Sequence, residues 1–507
     1  MRWECYRFAC NGANAAAFAR PEKAHPTQMR VAHVVAVFAI VVTACATNPA
    51  TGKRQINLMS EAQEISAGQQ ADAQVKKEMG VYNDANLQAY ISSIGMKLAA
   101  VSERPTLPWH YTVADTPAVN AFALPGGPIY ITRGILPFLN DEAQLAGVLG
   151  HETGHVTARH AAQQYTRAVG GTIGLVALGI FVPGGQQLGG VAEQGLGVLF
   201  LKYGRADESQ ADQLGVRYAS RANWDPAGVP EMLATLGRLD EASGQSKGVP
   251  NWLETHPDPL QRVKDITPLV QQTSAGRTDF VRNQDALFRA IDGIIYGDNP
   301  DQGIVRGAAF IHPPLRFRID FPNGWDVQNS PEQVIAKAPG TDVYMLLQQV
   351  EMPRGNGIEN IARTQMQDAG FRIQNGARQQ VNGLDAFIGL YTGSLEGLGN
   401  VMMRAAHIVH NANVYLVAGF SAPNVFSPLD DAILRSIRSF APLTAAEAEA
   451  VHPNRVDIYV VREGDSWPSI AERSGSVIKP STLAIMNGAE PNSQPIVGKR
   501  IKIVVGG

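Results

Sequence analysis

The sequence predicts an α+β chain of several domains. Three observations carry this. Residues 60–300 are dominated by helical periodicities around one short alternating strand. Strand patterns take over between residues 303 and 442. The last fifty or so residues run strand, helix, helix, strand. A chain of 507 residues, 45% apolar and 18% charged, can support about three hydrophobic cores. Its net charge of −3 gives no reason to expect nucleic acid as a partner. No strong solenoid repeat runs through it.

Residues 1–28 do not suit the start of a leader and are expected to be an upstream extension, with Met29 as the true start. Met29-Arg30 opens a segment whose apolar run, Val31 to Ala44, is too short for the roughly 20 residues of a membrane-spanning helix. It suits a signal peptide over 29–44. Val42-Thr43-Ala44-Cys45 fits a bacterial lipobox, in which Cys45 is diacylated and becomes the mature N-terminus. Ala46 in place of Asp resembles the sorting pattern for the outer membrane. Cys5 and Cys10 then leave with the extension, and no thiol remains to form a disulfide, a composition suited to an oxidising periplasm. Residues 45–59 are expected to be a lipidated tether, and the chain from Thr47 to Glu64 reads as a connection into the next domain.

Residues 60–300 form the first predicted domain. Ser60 to Met79 and Asp84 to Ala99 read as helices. The Asn120–Gly127 loop precedes an alternating Ile129/Ile131 strand, which could expose a sheet edge to an extended polypeptide. Asp141 to about Arg167 reads as one helix carrying His151-Glu152-Thr153-Gly154-His155, an HExxH motif. The i, i+4 spacing puts both imidazoles on one face, where they can share a metal ion, and Leu145, Val148 and Leu149 supply the apolar face entering the motif. Glu152 stands beside that pair, placed to take a proton from a water acidified by the metal. A third ligand is required. The metzincin pattern is excluded, because Ala158 and Ala161 stand where it needs Gly and His; His160 is one place off, on a different face. Glu208-Ser209-Gln210-Ala211-Asp212 fits better, on a helix running to about Arg221. Glu208 can supply a carboxylate ligand, and Asp212 can accept a hydrogen bond from a ligand imidazole. Ala211, Gly215 and Ala219 on that helix point to close packing against another.

HExxH followed roughly fifty residues later by ExxxD resembles the gluzincins of the HtpX and CAAX prenyl protease family, and more closely its soluble periplasmic branch of the BepA and LoiP type. The resemblance runs from about Ser60 to Val270. It includes Asn120-Ala121-Phe122-Ala123-Leu124-Pro125-Gly126-Gly127 with Ile129-Tyr130-Ile131, the turn Asn223-Trp224-Asp225-Pro226, and Thr255-His256-Pro257 with Arg262. It implies a zinc endopeptidase with one ion per chain, His151, His155 and Glu208 as ligands and Glu152 as general base. Asn120, Ala121 and Phe122 would border the cleft and bind substrate. His256 is a candidate fourth ligand or transition-state hydrogen-bond donor. Arg262 either stabilises the oxyanion or pairs with a carboxylate.

Two Gly-rich apolar stretches, Ala168 to Val182 and Val191 to Leu201, are each too short to span a membrane. A buried helical hairpin, a lid over the zinc and a surface dipping into the outer membrane all remain open for them. Tyr296-Gly297-Asp298-Asn299-Pro300 reads as a turn-rich boundary. In 303–442, Leu315–Phe321, Val343–Val350 and Phe387–Tyr391 read as strands, and Asn360–Ala369 and Pro428–Ser439 as helices. The Phe321-Pro322-Asn323-Gly324-Trp325 opening resembles PsbP/Mog1-like α+β domains. His407 and His410 read as strand residues rather than ligands. After an Ala/Glu linker, 456–505 gives βααβ and resembles a LysM module. That resemblance implies binding to peptidoglycan glycan, with a pure docking role as the alternative. Trp467 and the insert Ser476–Pro480 depart from the module's usual pattern.

The expected protein is a lipid-anchored periplasmic zinc endopeptidase of a Gram-negative bacterium. It would degrade misfolded or unassembled outer-membrane and envelope proteins. Two alternatives are a wall-anchored chaperone or assembly factor with a zinc site capped by His256, and a peptidoglycan-targeted peptide hydrolase. The intact HExxH glutamate favours catalysis over the first. The strand edge favours polypeptide over the second.

Overall fold

The computed structural model describes residues 45–167, 203–243, 252–351, 357–395 and 397–507. The leader and both Gly-rich apolar stretches lie outside the described residues. No helix among the described residues is long and apolar enough to cross a membrane.

The segment expected to be a tether is an ordered hairpin, β1 (Cys45–Thr47) against β2 (Arg54–Ile56). Asn48 makes it so. Its Oδ1 accepts from the Ala50 and Thr51 amides, and its Nδ2 donates to the Ala158 carbonyl at 3.2 Å. The Leu58 amide adds a bond to Thr166 Oγ1 at 3.0 Å. The chain is thereby stitched to the segment after the HExxH helix. Helix α1 (Glu61–Met79) then starts at a Ser60/Gln63 capping box, and α2 (Ala85–Ala100) at an Asp84 cap.

A three-stranded sheet follows: β3 (His110–Ala114), β4 (Ala121–Ala123) and β5 (Pro128–Thr132), in the order β3-β5-β4. Strand β5 runs parallel to β3 and antiparallel to β4, which forms an edge. Every residue of β5 is buried, so its alternation separates two cores rather than core from solvent. Ile129 and Ile131 join Ile91 and Ile94 of α2, while Tyr130 packs with Ala71 and Val75 of α1.

The HExxH helix, α3 (Glu142–Thr157), is capped by Asp141, whose carboxylate accepts from the Gln144 amide at 2.9 Å. It does not run unbroken to Arg167. Ala158 caps it, Arg159 takes a left-handed φ of 61°, and helix resumes over 160–167. Arg159 is held there by Glu64 (2.9 Å) and by the Met59 carbonyl (2.6 Å), a tertiary override with no signal in the periodicity. The remaining helices are α4 (Arg205–Arg221), α5 (Gly228–Ser243), α6 (Trp252–Thr255), α7 (Pro259–Ser274) and α8 (Gln284–Ile291), ending in β6 (Ile295–Tyr296). Small residues let α3 and α4 approach closely. A Cβ on Gly154 would lie 3.1 Å from the Ala211 carbonyl, and one on Gly215 3.1 Å from the His151 nitrogen. That approach sets Glu208 opposite the two histidines.

Beyond β6, the short strands β7 (Ile304–Arg306), β8 (Ala309–His312) and β9 (Phe317–Asp320) form a small antiparallel sheet with Ala441–Pro442. The larger sheet holds β10 (Asp326–Asn329), β11 (Gln333–Lys337), β12 (Tyr344–Val350), β13 (Arg372–Val381), β14 (Leu384–Leu395), β15 (Gly399–His410) and β16 (Asn413–Ser421). Its order is β10-β11-β12-β16-β15-β14-β13, with helices at Ile358–Asp368 and Asp430–Ser439. His407 and His410 are buried strand residues of β15. Strand β13 escapes the sequence reading because its residues are mostly exposed and polar, on the sheet's edge.

The C-terminal segment is βααβ: a strand at Asn454–Val460, helices at Trp467–Arg473 and Pro480–Met486, and a strand at Arg500–Val505. The first of these strands also pairs with β6. The turn-rich boundary thus donates a third strand to the C-terminal sheet. Phe138, just before α3, joins the hydrophobic core of this C-terminal segment with Trp467, Leu483 and Met486.

Candidate active site

Helices α3 and α4 and the Thr255–Pro257 turn bring His151, His155, Glu208 and His256 together, all buried, with one potential ligand atom from each within 4.8 Å of the others. The hydrogen-bond partners fix which nitrogens are bare. Asp212 Oδ1 stands 3.0 Å from His151 Nδ1. A carboxylate only accepts, so Nδ1 carries the proton and Nε2 keeps its lone pair. For His155 the partner is His160, with the two Nδ1 atoms 2.9 Å apart. His160 Nε2 in turn faces Gln210 Oε1 at 3.0 Å, with Asp207 Oδ1 at 3.9 Å. Both are acceptors, so His160 is protonated at Nε2 and bare at Nδ1. It therefore accepts from His155 Nδ1 and leaves His155 Nε2 bare.

The bare Nε2 atoms of His151 and His155 lie 3.0 Å apart. Neither can donate to the other, so the pair is favourable only around a cation. Glu208 carboxylate oxygens lie 3.6 Å from each. Two neutral imidazoles and a carboxylate are a zinc donor set. The residues present therefore fit the metal.

Charge supports the same arrangement. Burial pushes the His151 imidazole down to about 4 and His155 well below its usual range, so both are neutral donors at neutral pH. Burial also opposes ionisation of Glu208 and Asp212. The neighbouring His256 and Arg262 outweigh that for Glu208, and Arg262 does so for Asp212, so both carboxyls sit below their usual values. Arg262 holds Asp212 through two bonds of 2.8 and 2.6 Å and lies 2.6 Å from Glu208 Oε2. Of the two roles open for Arg262, the carboxylate pairing is the one seen.

Glu152 is fully buried; the Ala123 amide of β4 faces its carboxylate, and no side chain hydrogen-bonds it among the described residues. Burial pushes its carboxyl up to about 7, opposed in part by His256 and Arg262. His256 lies inside the cluster. Its Nδ1 is 3.0 Å from Glu208 Oε1 and 3.4 Å from His151 Nε2, and its Nε2 is 3.6 Å from Glu152. Its ring stacks on Trp252, with centroids 4.0 Å apart, and His155 stacks on Tyr203 at 3.9 Å.

Edge strand β4 packs on α3, and all three of its residues are buried rather than exposed as the sequence suggests, because α3 and the core beside α1 cover both of its faces. Phe122 stacks on Tyr130 at 5.2 Å and packs in the core with Ala71 and Val75 of α1. Asn120 Oδ1 accepts its neighbour Ala121's amide at 2.8 Å. Cys45 lies in β1, remote in sequence from every ligand. The sequence reading missed His160, Gln210, Trp252 and Tyr203. The spacing of His160 places it off the ligand face, and only the break at Arg159 turns its ring onto His155.

A family model described as Peptidase family M48 matches residues 85–270. The mitochondrial metalloendopeptidase OMA1 of Schizosaccharomyces pombe is 32% identical over 236 residues, covering 45% of this chain and 67% of that protein. The chain belongs to peptidase family M48. The beta-barrel assembly-enhancing protease of Escherichia coli K12 is 30% identical over 247 residues, covering 45% of this chain and 49% of its own length. The chain thus spans about half of that relative. Among solved structures, cyanobacterial PsbP from Synechocystis sp. PCC 6803 matches with a TM-score of 0.23 at 11% identity, over 27% of this chain and 95% of that one, too low to carry an argument. Membership of M48 makes the HExxH region that of a zinc metalloendopeptidase, in accord with the donor set.

Proposed function

We propose that this M48 protein is a periplasmic endopeptidase that degrades misfolded or unassembled outer-membrane and envelope polypeptides. The observation that carries the reading is Glu152: a buried carboxylate that no side chain hydrogen-bonds among the described residues, beside a donor set of two imidazoles and one carboxylate. His151, His155 and Glu208 would hold the zinc. When bound there, zinc supplies a Lewis acid that polarises a carbonyl and acidifies water. Glu152 takes the proton of the attacking water and passes it to the leaving amine. Asp212 and His160 fix the tautomers of the two imidazoles, and Arg262 holds Asp212 and Glu208 in place. The edge strand β4, with Asn120, Ala121 and Phe122, would align an extended substrate through main-chain hydrogen bonds, a mode indifferent to side chains. His256 would act as a fourth ligand that withdraws when substrate enters.

The address is part of the same proposal. Lipid on Cys45 would hold the enzyme at the outer membrane, and the LysM-like segment 456–505 would hold it to peptidoglycan, where unassembled outer-membrane proteins accumulate. The name of the E. coli relative, a beta-barrel assembly-enhancing protease, supports this substrate class. The test is degradation of one outer-membrane β-barrel protein offered urea-unfolded and detergent-folded. The reading predicts cleavage of the unfolded form and sparing of the folded one. Equal cleavage of both would overturn the quality-control reading.

A further inference from the structure

The HExxH helix α3 is ended by residues far upstream in the chain. In an unbroken helix His160 would stand about 140° around the axis from His155, out of reach of its ring. The left-handed turn at Arg159, with φ 61°, removes that separation and brings the two Nδ1 atoms to 2.9 Å. A residue with a side chain takes this conformation at a cost, so the turn needs support from outside itself.

That support comes from residues 48–64. Asn48 Nδ2 donates to the Ala158 carbonyl at 3.2 Å, which the break leaves without its helical partner and which Gln163 Nε2 also meets, at 2.9 Å. The Met59 carbonyl accepts from Arg159 Nη2 at 2.6 Å, and Glu64 accepts from Arg159 Nε at 2.9 Å. The Leu58 amide fixes the resumed helix through Thr166 Oγ1 at 3.0 Å. Glu64 is 2% exposed and also holds Arg104 at 2.9 Å. Arg104 in turn donates to the Val156 carbonyl at 2.9 Å. These contacts fall on both sides of the break. A spacer between a lipid and an enzyme requires none of them.

We infer that residues 48–64 are a positioning element of the metal centre. They hold Arg159 left-handed, and Arg159 turns His160 onto His155. His160 then keeps the His155 proton on Nδ1 and leaves its Nε2 bare for the metal. Asn48 and Arg159 are positioning residues, since both act through His160. The inference rests on the zinc reading of His151, His155 and Glu208. With lipid on Cys45, just upstream of Asn48, membrane anchorage and metal retention would share one segment.

The test measures zinc affinity of the full chain by chelator competition, at a temperature where every variant is folded. Arg159→Ala and Arg159→Gly delete the same ion pair with Glu64, but glycine accepts a left-handed φ without strain. Affinity is expected to fall about tenfold in Arg159→Ala and to stay near that of the unsubstituted chain in Arg159→Gly. Asn48→Ala is expected to show a smaller loss, which Arg159→Gly in the same chain restores. Histidine ring-nitrogen resonances of the zinc-free chains read the proton itself. His155 should carry it on Nδ1 in the unsubstituted and Arg159→Gly chains, and share it between both nitrogens in Arg159→Ala. His151, held by Asp212 of α4, should keep its Nδ1 proton throughout. Equal loss of affinity in Arg159→Ala and Arg159→Gly would overturn the inference. So would no loss in Arg159→Ala, no loss in Asn48→Ala, an unchanged His155 pattern in Arg159→Ala, or a change in His151 alongside it. The resonances need no metal and judge the His155 coupling even if the unsubstituted chain binds no zinc, the result that would overturn the zinc reading.

Discussion

At the scale of residues, the site depends on which proton sits on which nitrogen. His151 is oriented by a carboxylate that the sequence exposes as Glu208-x-x-x-Asp212. His155 is oriented by His160, which depends on Gln210. Replacing His160 by Phe keeps a ring against His155 but removes the acceptor. His155 then has no partner to hold the proton on Nδ1. Zinc affinity, measured by chelator competition, should fall about 10- to 100-fold. Gln210→Glu keeps an acceptor at the same place and should retain affinity. Loss in both variants alike would assign the residues a packing role instead. The asymmetry explains why half of this shell was legible in the sequence. The Asp212 partner lies at helical spacing from a ligand, and spacing is what a sequence displays. The His160 partner depends on a left-handed Arg159 held by Glu64, 95 residues away.

At the scale of elements, close helix approach is what assembles the ligands. Ala211, Gly215 and Ala219 announce it, and Gly150 and Gly154 complete it from the other side. The same reasoning applies where α5 meets the start of α3. A Cβ on Gly228 would lie 2.3 Å from the Ala143 carbonyl group, which is backbone and cannot rotate away. Gly228→Ala should therefore push α5 off the HExxH helix and cost about 1–3 kcal/mol, seen as a melting temperature lower by several degrees. An unchanged melting temperature would show that the contact relaxes freely. Helices with caps and apolar stripes, such as α1 and α2, were legible to within a residue or two. Strands β13, β15 and β16 were not, because edge exposure and continuous burial both erase the period-2 signal.

At the scale of the whole molecule, the C-terminal segment is bound to the catalytic region rather than strung behind it. Its first strand pairs with β6, Phe138 enters its core, and Lys502 Nζ donates to the Leu139 carbonyl (2.5 Å) and to Asn140 Oδ1 (2.9 Å). Those two residues immediately precede Asp141, the cap of α3. None of this is legible in sequence, since β6 is two residues long and Lys502 reads as a surface lysine. Burial holds the Lys502 amine well below its ordinary 10.5. Between that depressed value and 10.5 the unfolded chain is the better proton binder. Stability therefore rises with pH through that window and is lost as pH falls toward the folded value. The melting temperature should climb between roughly pH 8 and 10, and the Lys502→Met chain should lose most of that slope. An identical slope in both chains would mean that Lys502 is not buried in solution.

With Glu152 as its base, this M48 cluster would hydrolyse polypeptide. Zinc-loaded residues 46–507 acting on unfolded casein, beside the Glu152→Gln chain and with metal content measured in both, decide this. One zinc per chain is expected in each protein, with cleavage lower by about 10²- to 10⁴-fold in the variant. Equal cleavage by both chains would contradict the role of Glu152. No cleavage by either, with zinc in place and His256→Ala equally inert, would contradict the peptidase itself.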